Sequence, residues 1–150
     1  MKEALIIRAR HQPGYVLITV AGEIDIATAP QLRERLTALA ASGRPLVVDL
    51  AQVSFLDAAG LGVLAGTAHR ARARGTSLHV ISARPQIRRL FAITGLDRHI
   101  PLVWTLAEAL AELPPGWDIP VNGHCRTRAR QARLDPGPPG TNGDMRPGRR

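Results

Sequence analysis

Three carboxylates, Asp25, Asp49 and Asp57, follow apolar runs, at positions where a side chain caps a helix, ties a loop or meets a partner. Asp57 directly precedes Ala58-Ala59-Gly60-Leu61 and is suited to cap the helix that begins there. Asp25 closes the turn Gly22-Glu23-Ile24-Asp25. Asp49 ends a buried-looking strand, where its expected use is a hydrogen bond to backbone. None of them has the company that catalysis needs. A nucleophilic enzyme requires an activated Ser, Cys or Lys beside a base and an orienting group, and no such grouping is visible. His11, His69, His79, His99 and His124 show no close metal-ligand spacing, and most read as surface residues. Gly60, Gly62 and Gly66 lie inside a helical pattern with no Lys-Ser or Lys-Thr after them, so they do not form a phosphate loop. Close packing or the approach of a partner accounts for them. What remains predicts a binding protein, not an enzyme, with no metal, cofactor or small-molecule substrate implied.

The bulk properties narrow the class further. The chain has 150 residues, 45% of them hydrophobic, which suits one domain with one core. Aromatic residues make up only 3%, so the core must be built from Leu, Ile, Val and Ala, and a stacked-aromatic platform for single-stranded nucleic acid is excluded. A lone Cys125 has no second cysteine for a disulfide or a zinc site, which predicts a reduced, cytoplasmic protein. No run approaches the roughly 18 apolar residues of a membrane span, and residues 4–7 form too short an apolar stretch for a secretion signal. The net charge of +8 is uneven: residues 113–150 hold seven Arg and three Asp.

The elements that must position these residues are legible as an alternation. Residues 5–10 and 15–21 are β-rich runs around the turn Gln12-Pro13-Gly14, which predicts a hairpin. Thr28-Ala29-Pro30-Gln31 has the form of a capping box with proline in the first turn. Leu32, Leu36 and Leu39 follow at helical spacing, and Ser42-Gly43 supplies the stop. Residues 45–50 form a continuous apolar strand, expected at the centre of the sheet, with a short loop between it and Asp57. The next helix places Leu61, Leu64, Ala65 and Ala68 inward, with Arg70, Arg72 and Arg74 complementing its C-terminal dipole. Residues 77–81 predict a strand. Residues 85–93 predict a helix with Ile87, Leu90 and Phe91 inward, Arg88 and Arg89 outward and Gly95 as terminator. A last short strand at 100–103 precedes a second capping box, Thr105-Leu106-Ala107-Glu108, followed by Leu110 and Leu113. The whole is a small α/β domain over residues 1–113, with helices packed on a mixed sheet that begins with a hairpin. From Pro114 onward Pro, Gly and Arg dominate without apolar periodicity, which predicts a disordered basic tail over residues 114–150.

Four segments, in order, resemble the STAS domain family, named for sulfate transporters and anti-sigma factor antagonists. They are Gly22-Glu23-Ile24-Asp25, Val48-Asp49-Leu50, Phe55-Leu56-Asp57-Ala58-Ala59-Gly60-Leu61, and Leu90-Phe91 with Thr94-Gly95-Leu96. The resemblance spans about residues 5–113. In that family the third segment closes on Asp-Ser-Ser-Gly-Leu or Asp-Ser-Thr-Gly-Leu, and its second hydroxyl residue is the usual phosphorylation site. Here Ala58 and Ala59 occupy the two hydroxyl positions, and Ala59 stands at the phosphoacceptor.

The resemblance implies partner switching: the unmodified domain binds a kinase-like anti-sigma factor and frees a sigma factor, and phosphorylation breaks that complex. A phosphate adds about −1.5 to −2 charge at a helix start that must fit a partner closely. Alanine cannot accept it and imitates the uncharged state. The partner face that the resemblance implies comprises Asp25 and Thr28 from the first loop, with Asp57, Ala58, Ala59, Gly60, Leu61 and Gly62 at the second helix start. Ser54 and Thr67 are the nearby hydroxyls, and both are expected to serve the loop or the helix surface. STAS-like domains also act as soluble subunits of lipid-transport assemblies and of stress-sensing complexes. Arg126, Arg128, Arg130 and Arg133 raise a further reading, in which the tail touches nucleic acid or an anionic membrane by charge alone. A solvated extension is the reading favoured over it.

Overall fold

A computed structural model describes residues 4–113. The basic tail, Cys125 and His124 lie outside the described residues. Strands β1 (Ile6–Gln12) and β2 (Tyr15–Ile24) form the expected antiparallel hairpin about Pro13-Gly14. The chain then alternates through α1 (Ala29–Ala40), β3 (Leu46–Leu56), α2 (Ala58–Ala73), β4 (Leu78–Ile81), α3 (Pro85–Thr94), a 3-10 turn (Leu96–Arg98), β5 (Leu102–Val103) and α4 (Leu106–Ala111). The sheet order is β1-β2-β3-β4-β5, antiparallel at the hairpin and parallel thereafter. This is a single α/β domain on a mixed sheet.

Because β2 to β5 are laid down in chain order, right-handed crossovers carry α1, α2 and α3 to the same face of the sheet. The buried side chains agree. Leu32 and Leu36 of α1, Leu61, Leu64 and Ala68 of α2, and Ile87 and Phe91 of α3 form one cluster with Ile18, Ile24, Leu46, Val48, Leu50 and Val80 of the strands. The second face is covered by α4, over a smaller cluster of Val47, Ile81, Val103 and Ala109. Since the strand order never reverses, the sheet lacks the crevice that opens where α/β sheets change direction and hold small ligands.

Several local expectations need correction. The central strand does not end at Leu50. It continues to Leu56, and its register with β2 slips twice, from Thr19–Asp49 to Ala21–Gln52 and from Gly22–Val53 to Glu23–Phe55. Each slip gives β3 one extra residue, a bulge that re-aims the side chains beyond it. The alternation of a regular strand is lost there, which is why the segment reads as loop. Arg88 does not point outward: its guanidinium donates to the carbonyls of Ser82 (2.6 Å) and Leu102 (3.2 Å) and stacks 3.7 Å from the Trp104 ring centroid. It ties α3 to β5, whereas Arg89 is exposed as expected. In α4 the residue turned to the core is Ala109, and Leu110 is exposed. His79, among residues read mostly as surface, is only 4% exposed.

Candidate functional site

The parallel pairing of Ile24 with Leu56 brings the C-terminal ends of β2 and β3 side by side, and Asp57 N–H donates to the Ile24 carbonyl at 3.2 Å. Asp25 and Asp57 therefore start adjacent loops, one leading into α1 and the other into α2. Thr28 does not cap α1 through its side chain. Asp25 organises the turn instead. Its Oδ1 accepts from the N–H of Ala27 (2.9 Å) and Thr28 (3.0 Å), and its carbonyl accepts from Ala29 N–H at 2.7 Å. Thr28 Oγ1 accepts from Asp25 N–H at 2.9 Å and donates to the Glu23 carbonyl at 2.9 Å. Gln31, the third member of the expected box, donates to the Leu5 carbonyl of the hairpin. Thr28 holds the cap position through its backbone alone, its carbonyl accepting from Gln31 and Leu32 N–H, while Asp25 braces the turn that precedes the helix.

At the second loop the capping expectation holds. Asp57 Oδ1 accepts from Ala59 N–H at 2.9 Å and from Gly60 N–H at 3.3 Å. Gly60 is buried where α2 crosses the strand ends. A Cβ there would come within 2.3 Å of Leu56 Cδ1 and 2.6 Å of Ile24 Cγ2, so glycine is what lets the helix start sit on the sheet. Leu61 is buried in the core, and Ala59 is half-buried and packed against it. Ala58 and Gly62 are exposed, and a Cβ on Gly62 would meet nothing. The eight residues read from the sequence thus lie on two adjoining helix starts, with Ala58 and Gly62 turned outward and Asp25, Gly60 and Leu61 turned in.

Two residues absent from that set stand out on the same loops. Ile26 is 79% exposed and Phe55 is 48% exposed. Ile26 is pushed out by the tight Asp25 turn and Phe55 by the second bulge of β3. The available signal was a large apolar residue at a place where no periodicity buries it, as in Asp25-Ile26-Ala27-Thr28. Together with Ala58 and Gly62 they give these loops an apolar, hydroxyl-poor surface, the composition found at the buried centre of protein interfaces. The nearby hydroxyls differ from each other. Ser54 is exposed and donates weakly to the Gly22 carbonyl at 3.4 Å, whereas Thr67 is fully buried and donates to the Val63 carbonyl at 2.9 Å. Thr67 therefore does not serve the helix surface.

Asp49 accepts from Ala51 N–H at 2.9 Å at the first bulge, a loop-tying bond of the kind expected of it. Among the described residues no group of three or more His, Cys, Asp or Glu could hold a metal ion, and no helix is long and apolar enough to cross a membrane. A groove beside α1, lined by Pro30, Gln31, Glu34, Thr37 and Arg70, is open to solvent and gathers no converging polar groups of the kind a small ligand needs.

Comparison with known proteins places this architecture. The STAS domain family matches the chain over residues 7–109. The chain is 43% identical over 81 residues to the anti-sigma-B factor antagonist of Bacillus subtilis, covering 54% of this chain and 74% of that protein. It is 37% identical over 93 residues to the anti-sigma-B factor antagonist of Staphylococcus aureus, covering 61% of this chain and 86% of that one. The crystal structure of an anti-sigma factor antagonist from Mycobacterium paratuberculosis superposes with a TM-score of 0.69 at 35% identity, covering 73% of this chain and 94% of that one. Strand order, hairpin opening, capped second helix and sequence agree, and the chain belongs to the STAS domain family, among the regulatory, non-catalytic proteins of the anti-sigma factor antagonist type.

Proposed function

We propose that this protein is a cytoplasmic anti-sigma factor antagonist that binds a kinase-like anti-sigma factor through the two helix starts and is not switched by phosphorylation at position 59. The observation that carries the proposal is the second helix start. Asp57 holds the first amides of α2 in place, while Ala58 and Ala59 offer no hydroxyl to a kinase. The contact surface comprises Asp25 and Thr28, which shape the first loop, and Asp57 to Gly62, with Ile26 and Phe55 as apolar anchors. Alanine at position 59 keeps the surface in the uncharged form, so binding is governed by expression of the two partners or by an event elsewhere on either of them. The similarity to anti-sigma-B factor antagonists supports the partner class.

The test is affinity capture with the full chain from lysate of the source cells, followed by incubation of the complex with ATP and intact-mass measurement. The expected result is recovery of a kinase-like anti-sigma factor and an unchanged mass for this chain. Ala58→Asp, at an exposed position where added charge leaves the core alone, should abolish capture. Recovery of transporter subunits or a stress-complex scaffold would overturn the function, and a stoichiometric gain of one phosphate would overturn the unswitched state.

A further inference from the structure

His79 lies on β4, paired with Val47 of β3. Its neighbours Leu78 and Val80 join the large cluster under the three crossover helices. The alternation of the strand turns His79 and Ile81 to the opposite face, where α4 covers Val47, Ile81 and Val103. There the imidazole is almost fully buried. Its Nε2 stands 3.6 Å from Glu112 Oε1, just past the end of α4, and its Nδ1 is buried with no hydrogen-bond partner. A basic side chain in an apolar layer, with one ring nitrogen orphaned and the other facing a half-exposed carboxylate, is not explained by the partner face, which lies on other loops.

We propose that α4 is a proton-released cover on the second face of the sheet, closed while His79 is neutral and loosened when His79 is protonated. As a neutral ring His79 packs as a flat, largely apolar group. As imidazolium it carries two N–H donors and a full charge, and the closed structure offers the Nδ1–H no acceptor. The charged groups on the surrounding elements do not supply one. On α4, Glu108 already accepts from Trp104 N–H at 2.8 Å, which leaves Glu112 beyond its end. On β3, Asp49 is bound to Ala51 N–H. On β5 there is no charged residue. Arg88 of α3 is engaged by the carbonyls of Ser82 and Leu102, and Arg70 and Arg72 of α2, with Arg74 at its C-cap, belong to a helix on the far face. Tyr15 borders the small cluster, and Arg8 and Arg10 stand on the same face out on β1, opposite Thr19 and Leu17; both arginines are cations and offer no acceptor. Burial lowers the His79 pKa from its ordinary value of 6.5, and the Glu112 carboxylate opposes that shift without cancelling it.

The sign of the effect follows. Above about pH 6.5 the imidazole is neutral with α4 open or closed, and closure is at full strength. As the pH falls below that value the open form takes up a proton that the closed form resists, so closure weakens. The element it acts on is poised to respond. A six-residue helix is not stable by itself in water, and α4 depends on the Thr105–Glu108 capping box and on Ala109 in the small cluster. Opening would expose Val47, Ile81 and Val103 and would move the point from which residues 114–150 continue. The inference does not rest on the identity of the partner.

The experiment is amide hydrogen exchange on the full chain at pH 7.5 and pH 5.5, corrected for intrinsic exchange, with an NMR titration of the His79 imidazole. Protection of α4 relative to α1 should fall several-fold at the lower pH, short of the roughly tenfold ceiling set by an open-state imidazole one pH interval above it. His79→Leu should remove that dependence. Glu112→Gln, which takes away the opposing carboxylate, should enlarge it. Equal α4 protection at both pH values, a His79 that titrates at or above 6.5, or a fall that survives in His79→Leu would each overturn the proposal. Should His79→Leu not fold, the imidazole titration and Glu112→Gln still decide.

Discussion

At the start of α1 the acid is buried and bound into its own loop, whereas at the start of α2 the acid is half exposed and serves as a helix cap. Asp25 accepts from two amides, and the Thr28 hydroxyl closes back on the strand end. The large side chain that loop presents outward is Ile26. Asp57 uses one oxygen for the first amides of α2, and the surface above it is Ala58, Gly62 and Phe55. The two starts thus arrive at similar surfaces by different routes. The first rigidifies a turn from within, and the second keeps its outer side small. If this pair is the partner face, as proposed, recognition depends on shape and apolar contact, and a single added charge is costly in it because a desolvated charge needs a partner.

The largest expected effect separates packing from recognition. Gly60→Val adds carbon where even a Cβ overlaps Leu56 and Ile24, and should destabilise the domain by about 3 kcal/mol in urea unfolding. A loss within measurement error would mean that α2 does not sit so close to the strand ends. Next comes the contrast between the two acids. Asp25→Ala leaves two part-buried amides without their acceptor and should cost about 2 kcal/mol, while Asp57→Ala removes an ordinary cap and should cost about 1 kcal/mol. The reverse order would show that the second loop, not the first, is the internally braced one. The smallest effect carries the opposite sign. Gly62→Ala meets open space on a helix and should stabilise the domain by roughly 0.5–1 kcal/mol, yet weaken partner capture if its bare backbone is on the contact surface as proposed. Tighter capture together with higher stability would move the contact off α2.

Much of this was readable in the sequence wherever the deciding interactions are local. The hairpin turn, the Asp57 cap, the Thr105–Glu108 box and the Gly95 stop came through because each is a contact between residues a few positions apart. The start of α1 at Thr28 is legible by residue type, but that the Thr28 hydroxyl turns back to the strand end and not to the helix amides is decided by the turn that Asp25 braces. Arg88 and His79 were misread because their partners, the β5 carbonyls and Glu112, are distant in the chain. Ile26 and Phe55 were passed over because apolar side chains are expected inside, and only the tertiary structure reveals which are left out.

The sequence by itself determined the order of elements, the division of apolar residues between them and the absence of a hydroxyl at positions 58 and 59, since periodicity, capping and chemical identity need no knowledge of neighbours. The tertiary structure alone decided that β3 runs on through two bulges, that two apolar side chains are turned outward beside the helix starts and that a histidine is sealed beneath α4. Those outcomes depend on how β3 registers against β2 and on which short helix covers the second face, and such pairings between distant segments are set by the packed whole.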